Sequence, residues 1–236
     1  MHKKRFLFRM TYYRNLEQYL AEGRLYAKNH HNVQRSFRIS FDDIVARRGT
    51  QFMAPDGSNI NDFVPFYFSP ITKMAYTIHA GNVPLKGPED ETLGAASMAD
   101  VAFLIVEPQR LFASGRAFWF TDISCNSALV PVYENDPEKL ATHIDWALFD
   151  EKPLTGAIPE IGYEGVCRYQ HDKDQPEAYQ CRSKKRMAEF MIRDYLRMDE
   201  VACIVLKNAA HLADLQGWVG SAGLNIPVLV KPGCYF

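Results

Sequence analysis

Apolar residues fall into short runs separated by polar, turn-rich stretches, and their spacing predicts alternating strands and helices. The unbroken run at residues 101–106 (VAFLIV) reads as a strand buried on both faces, and 201–206 and 227–230 read as strands too. Residues 5–10 form an earlier strand. The helix after it carries Leu16, Tyr19 and Leu20 at helical spacing, with Thr11 as its cap and Gly23 as its stop. Ser40 caps a second short helix, with Asp42 and Asp43 in its first turn and Arg47 and Arg48 at its end. Further strands are expected at 64–68, 74–78 and 117–120, a long exposed excursion at 79–100, and a late helix near 209–219. The element mix predicts an α/β (α+β) fold.

Residues 187–192 alternate: Ala188, Phe190 and Ile192 point one way, Met187, Glu189 and Met191 the other. A carboxylate on such an apolar strand is costly unless solvated or hydrogen-bonded. Glu189 is therefore either an edge residue facing water, for instance paired with Lys185 or Arg193, or a group held for chemistry. Just upstream, 151–181 is the most irregular stretch, with three prolines, three glycines and alternating charge. A loop of that length inside a domain is functional or disordered.

Composition narrows the classes. With 236 residues, 47% hydrophobic and 23% charged, the chain suits one generous domain or two small ones, and we expect a single domain over 1–236. No apolar run approaches the roughly 18–20 residues of a membrane-spanning helix. The basic start is broken at once by Arg9, Arg14 and Glu17, unlike a signal peptide, so a cytoplasmic protein is expected. Five scattered cysteines form no C-x-x-C pair, and the seven histidines form no H-E-x-x-H. The phosphate-binding patterns G-x-x-x-x-G-K-[S/T] and G-x-G-x-x-G are missing too, which removes the usual support for P-loop, kinase and Rossmann readings.

The net charge of −1 hides a polarised chain. Residues 1–48 hold 11 Lys/Arg against 4 Asp/Glu, whereas 49–150 hold 5 against 13. Basic residues bunch again at Arg182, Lys184, Lys185 and Arg186. An anionic ligand would be met by the first fifth of the chain and by this late cluster, although charged runs are also common on plain solvated faces.

Four islands then share an order and spacing: Phe8-Arg9-Met10-Thr11-x-x-x-Asn15-Leu16; Ile44-x-x-Arg47-Arg48; Asp62-x-Val64-Pro65-Phe66-Tyr67-Phe68-x-Pro70-x-x-x-Met74-x-Tyr76; and Lys184-Lys185-x-x-Ala188-Glu189-Phe190. Together they resemble the DarT family of DNA ADP-ribosyltransferase toxins from DarT-DarG toxin-antitoxin systems. The D-x-V-P-F-Y-F block is the most specific, and Phe118-Trp119-Phe120-Thr121-Asp122 resembles a further block of that family.

The resemblance implies an ADP-ribosyltransferase-type fold with a split central β-sheet flanked by helices, which cleaves NAD and transfers ADP-ribose to a base of single-stranded DNA. By this resemblance Glu189 and Arg47 are the catalytic residues, the first stabilising the ribosyl cation and the second orienting NAD and nucleotide. Arg9, Met10, Thr11, Asn15, Arg47, Tyr67 and Tyr76 are the expected NAD-binding set. Thr11 is equally explained as a helix cap, and Tyr67 and Tyr76 as core. The long 151–181 loop would select the acceptor, with Tyr163, Tyr169 or Tyr179 stacking on an unpaired base and Arg182, Lys184, Lys185 and Arg186 on phosphates.

Arg9 departs from the histidine that several members carry there. With the long loop, this favours guanine as the modified base, with thymine possible. An acceptor in RNA or protein, and a noncatalytic nucleic-acid-binding module of the same fold, are the alternatives. The implied partner is a DarG-like ADP-ribosyl glycohydrolase antitoxin. No metal is expected, because the leaving group is already a cationic pyridinium.

Overall fold

The computed structural model describes residues 3–41, 47, 49–170 and 181–236. The expected helix over residues 40–48, with Arg48, and also Tyr179 lie outside the described residues or largely so. The strands in chain order are β1 (Leu7–Tyr12), β2 (Arg24–Tyr26), β3 (Phe63–Tyr67), β4 (Pro84–Lys86), β5 (Thr92–Ala95), β6 (Val101–Val106) and β7 (Phe118–Thr121). After these come β8 (Tyr133–Glu134), β9 (Leu154–Thr155), β10 (Val166–Cys167), β11 (Glu189–Arg193), β12 (Tyr195–Arg197), β13 (Val201–Leu206) and β14 (Val228–Val230).

Eight of them form one mixed sheet in the order β14-β13-β6-β1-β3-β11-β7-β8. β13 and β14 run parallel and the other neighbours antiparallel. The apolar run of β6 is buried along its whole length because β1 and β13 flank it and helices cover the sheet. β1 meets β6 through six residue pairs but β3 through one, Phe8 opposite Tyr67. The sheet is thus two four-stranded leaves joined at a single row, the split that the family resemblance implies.

The first helix, Asn15–Glu22, ends as expected at Gly23, whose φ of 68° suits a residue without a side chain. Thr11 does not cap it. Thr11 belongs to β1, and the helix begins after Arg14. This helix packs on the late helix Leu212–Ser221.

Residues 74–78, read as a strand, lie in a helix, Lys73–His79. Thr72 Oγ1 accepts from the Ala75 amide at 3.1 Å and starts that helix, an N-cap that outweighs the alternating pattern. The excursion at 79–100 contains a small hairpin of β4 and β5, which pair out of the main sheet. Among the described residues no helix is long and apolar enough to cross a membrane.

Candidate active site

Glu189 opens β11, a strand flanked on one side by β3 and on the other by β7. It is an inner strand, so the edge-residue reading of Glu189 does not hold. The side chain is 1% exposed. One carboxylate oxygen, Oε1, accepts both from Ser124 Oγ at 2.8 Å and from the Cys125 amide at 3.0 Å. Lys185 and Arg193, the alternative partners, are engaged elsewhere: Lys185 donates to Asp145 at 2.8 Å, and Arg193 reaches Ser58 and Asp194. Two aligned donors hold a buried carboxylate in one orientation, and such bonds are among the stronger ones in proteins.

The turn that holds Glu189 also holds Arg47. Arg47 Nε donates to Asn126 Oδ1 at 2.9 Å and its Nη2 to the Asn126 carbonyl at 3.4 Å, while the side chain stays exposed. The Asn126 amide donates in turn to Ser124 Oγ at 3.2 Å. A cation open to solvent and a buried carboxylate are thereby anchored on one three-residue turn. Sequence reading missed Ser124 and Asn126, although they follow directly on the Phe118–Asp122 block that carries part of the family resemblance.

Glu189 is registered with Tyr67 on β3, and Tyr67 with Phe8 on β1, so Glu189 lies on the row where the two leaves join. The expected nicotinamide-end residues follow on β1. Arg9 Nη1 donates across the split to the Pro65 carbonyl at 3.5 Å. Met10 is half-buried, and Thr11 is buried and accepts from Asn15 Nδ2 at 3.1 Å. Asn15 also clamps the backbone of Phe37, donating to its carbonyl and accepting from its amide, both at 2.8 Å. Asn15 therefore shapes the site by fixing the chain at Phe37. Tyr76 sits on the Lys73–His79 helix against Phe236 and His79, instead of on a strand beside Tyr67.

The basic cluster divides. Arg186 is fully buried: its guanidinium donates to the carbonyls of Leu148, Cys167, Tyr169 and Ile71 and to Ser69 Oγ, at 3.1 to 3.3 Å. It also lies over the Phe149 ring, 4.9 Å from its centre. Burial lowers its pKa to about 10, which still leaves it cationic at neutral pH. Arg182, 1% exposed, is paired with Glu151 and donates to the Leu148 and Tyr169 carbonyls.

Neither arginine is placed to meet a phosphate. They tie Leu148, Glu151, Cys167 and Tyr169 to the stretch that leads into β11. Lys184 is exposed and Lys185 half-exposed.

Tyr163 is also a correction. Its ring packs on Phe6 and Phe8 at 5.7 and 5.1 Å, it is 6% exposed, and burial pushes its phenol well above the ordinary value. It fills the core and offers no face to a base, whereas Tyr169 is 57% exposed. Among the described residues no cluster of His, Cys, Asp or Glu is arranged to hold a metal ion.

A split mixed sheet with a buried glutamate on the row that joins its leaves fits the ADP-ribosyltransferase class that the sequence resemblance implies. Similar solved structures include Thermus sp. 2.9 DarT in complex with ADP-ribosylated ssDNA (TM-score 0.76, 21% identity, 99% of this chain and 97% of that one). Thermus sp. 2.9 DarT in complex with NAD+ is also similar (TM-score 0.70, 19% identity, 100% and 99%). The family model described as "ssDNA thymidine ADP-ribosyltransferase, DarT" matches residues 8–236, and the chain belongs to the DarT family.

Among curated proteins, a DNA ADP-ribosyl transferase of Thermus sp. (strain 2.9) is 32% identical over 117 residues, a stretch covering 49% of this chain and about half, 51%, of that relative. One from Escherichia coli O127:H6 is 20% identical over 235 residues, 99% of this chain and 94% of its own.

Proposed function

We infer that the chain transfers ADP-ribose from NAD to a base of single-stranded DNA and releases nicotinamide. Family membership supports this, and the observation that carries it in this chain is Glu189, buried on the joining row and fixed by Ser124 and the Cys125 amide. In the reaction the bond from the ribose anomeric carbon to the pyridinium nitrogen breaks, and its electron pair leaves with nicotinamide. The ribosyl cation left behind is stabilised by the Glu189 carboxylate. A base nitrogen then bonds to that carbon and loses its proton, for which the same carboxylate is the acceptor.

Arg47 supplies an exposed guanidinium anchored at one side, suited to the diphosphate. Arg9, Met10, Thr11 and Tyr67 line the approach from β1 and β3, Asn15 supports them through Phe37, and Tyr76 stands on the neighbouring helix. An unpaired strand exposes the base edge that a duplex hides, which is why single-stranded DNA is the substrate. Residues 151–181 are the acceptor-selecting part of what we take to be one domain. There Tyr169 offers a stacking face and Tyr179 completes the set, and just beyond that segment Lys184 and Lys185 offer charge.

Guanine is the favoured base, on the arginine at position 9 and the length of the acceptor segment; thymidine, the base in the family's description, is the other outcome. The partner is a DarG-like antitoxin, a reading supported by the likeness to Thermosipho africanus DarTG in complex with ADP-ribose (TM-score 0.65, 14% identity), of which this chain covers 51%.

The test is mass spectrometry of oligonucleotides differing only in guanine or thymine content, incubated with NAD and the protein. One ADP-ribose on guanine strands alone supports the whole reading. The same gain on thymine strands alone keeps the enzyme and overturns the base. No DNA adduct while NAD is consumed redirects the search to RNA and protein.

A further inference from the structure

Three hydrogen bonds run in series from Arg47 to Glu189. Arg47 Nε donates to Asn126 Oδ1, the Asn126 amide to Ser124 Oγ, and Ser124 Oγ to Glu189 Oε1, at 2.9, 3.2 and 2.8 Å. A serine hydroxyl has one proton, and here it is committed to the carboxylate while the oxygen accepts from Asn126. The hydroxyl direction is thus fixed from both sides. Thr121 supports the same place from the neighbouring strand, its Oγ1 donating to the Ile123 carbonyl at 2.7 Å and accepting from the Glu189 amide at 3.3 Å.

We propose that Ser124 is a positioning residue for the transfer reaction, orienting the Glu189 carboxylate toward the developing ribosyl cation. The proposal rests on the reading of Glu189 as the catalytic carboxylate. Its physical basis is that a carboxylate acts on an oxocarbenium-like centre only over a narrow range of placement, and a misplacement of about 1 Å costs on the order of 100-fold. The Ser124 hydroxyl and the Cys125 amide reach the same carboxylate oxygen from two directions, and the hydroxyl thereby narrows the range of directions the carboxylate can take.

Because the carboxylate engages the substrate most strongly in the transition state, its misplacement is read in turnover and leaves the NAD affinity alone. A merely structural serine whose loss loosened the Arg47 side would do the opposite and raise KM.

The experiment measures nicotinamide release with the full chain and a single-stranded oligonucleotide, for wild type, Ser124→Ala, Ser124→Thr and Glu189→Gln, with melting temperatures for each. Expected are a kcat lowered about 10- to 100-fold in Ser124→Ala, a KM for NAD within about twofold of wild type, and recovery of most of the rate in Ser124→Thr, which keeps the hydroxyl. Wild-type turnover in Ser124→Ala beside an inactive Glu189→Gln overturns the proposal and leaves the reading of Glu189 intact. A raised KM with unchanged kcat also overturns it, placing the contribution at Arg47. Wild-type turnover in Glu189→Gln sinks the reading of Glu189 and the proposal with it.

Discussion

Glu189 stands opposite Tyr67 across β11 and β3, and Tyr67 is the residue through which β3 registers with Phe8 on β1. Glu189 therefore shares the row on which the two leaves join, one strand removed from the joint, and its carboxylate is held by the turn that follows β7. Its backbone is registered with β3, and its carboxylate is held by the Ser124 hydroxyl and the Cys125 amide. Little rotameric freedom remains to be lost on binding NAD, the condition that preorganised electrostatic catalysis requires.

Replacing Glu189 by alanine is expected to lower ADP-ribose transfer by roughly 10²–10³-fold or more, the scale seen when a preorganised stabilising group is removed. Quantitative mass spectrometry of the oligonucleotide adduct checks it. Wild-type adduct yield at early time points would reject the assignment.

Arg47→Lys keeps the charge but loses the planar fork that engages Asn126. A hydrogen bond to a charged group contributes about 1.5–3 kcal/mol, so the KM for NAD should rise at least about tenfold. Initial-rate kinetics in NAD at saturating oligonucleotide decide it, and an unchanged KM would remove Arg47 from the NAD site.

Arg186→Ala empties a fully buried volume and removes five hydrogen bonds. The expected loss of stability is about 3–5 kcal/mol, read from denaturant unfolding. Arg186→Lys should recover only part of it, because an ammonium cannot reproduce the guanidinium's spread of donors. A near-neutral Arg186→Ala combined with weaker DNA binding would restore the phosphate-contact reading.

Tyr163→Phe tests the opposite kind of site. Its hydroxyl is buried without a hydrogen-bond partner among the described residues. Removing it should leave stability unchanged or raise it by up to about 1 kcal/mol, with DNA modification unaffected. A loss of DNA modification at wild-type stability would return Tyr163 to the acceptor site.

Asp150 governs a pH effect at the N-terminus. Burial works to raise its carboxyl, but the hydrogen bonds from Arg5 and Lys3 outweigh burial and hold it below the ordinary value. A folded-state value below the unfolded one contributes stability that is present above the ordinary carboxylate range and lost as pH falls through the folded value. Melting temperatures of wild type and Asp150→Asn should differ at about pH 6 and converge in acid, as pH falls through the folded-state value. A gap that persists in acid would reject the ion-pair account.

The buried strands were legible because β-branched and aliphatic runs such as Val101–Val106 have one stable environment, an inner strand. Glu189 was legible as a carboxylate too expensive to sit on that strand without purpose, and the family islands gave it a role. The Lys73–His79 helix was hidden by an alternating pattern whose deciding feature, the Thr72 cap, is a single side chain. Arg182 and Arg186 read as phosphate contacts because their acceptors include carbonyls from segments up to 115 residues away, which carry no sequence signature. Ser124 and Asn126 were missed for the same reason, since their partners are defined only once β7 and β11 pair.

Arg186 takes main-chain oxygens at Leu148, just before the 151–181 segment, and at Cys167 and Tyr169 within it. Every amino acid carries that atom, so the anchor is indifferent to which side chains the segment displays. The scaffold behaves like a socket: the segment's outward side chains can be exchanged while the plug stays seated three residues before Glu189.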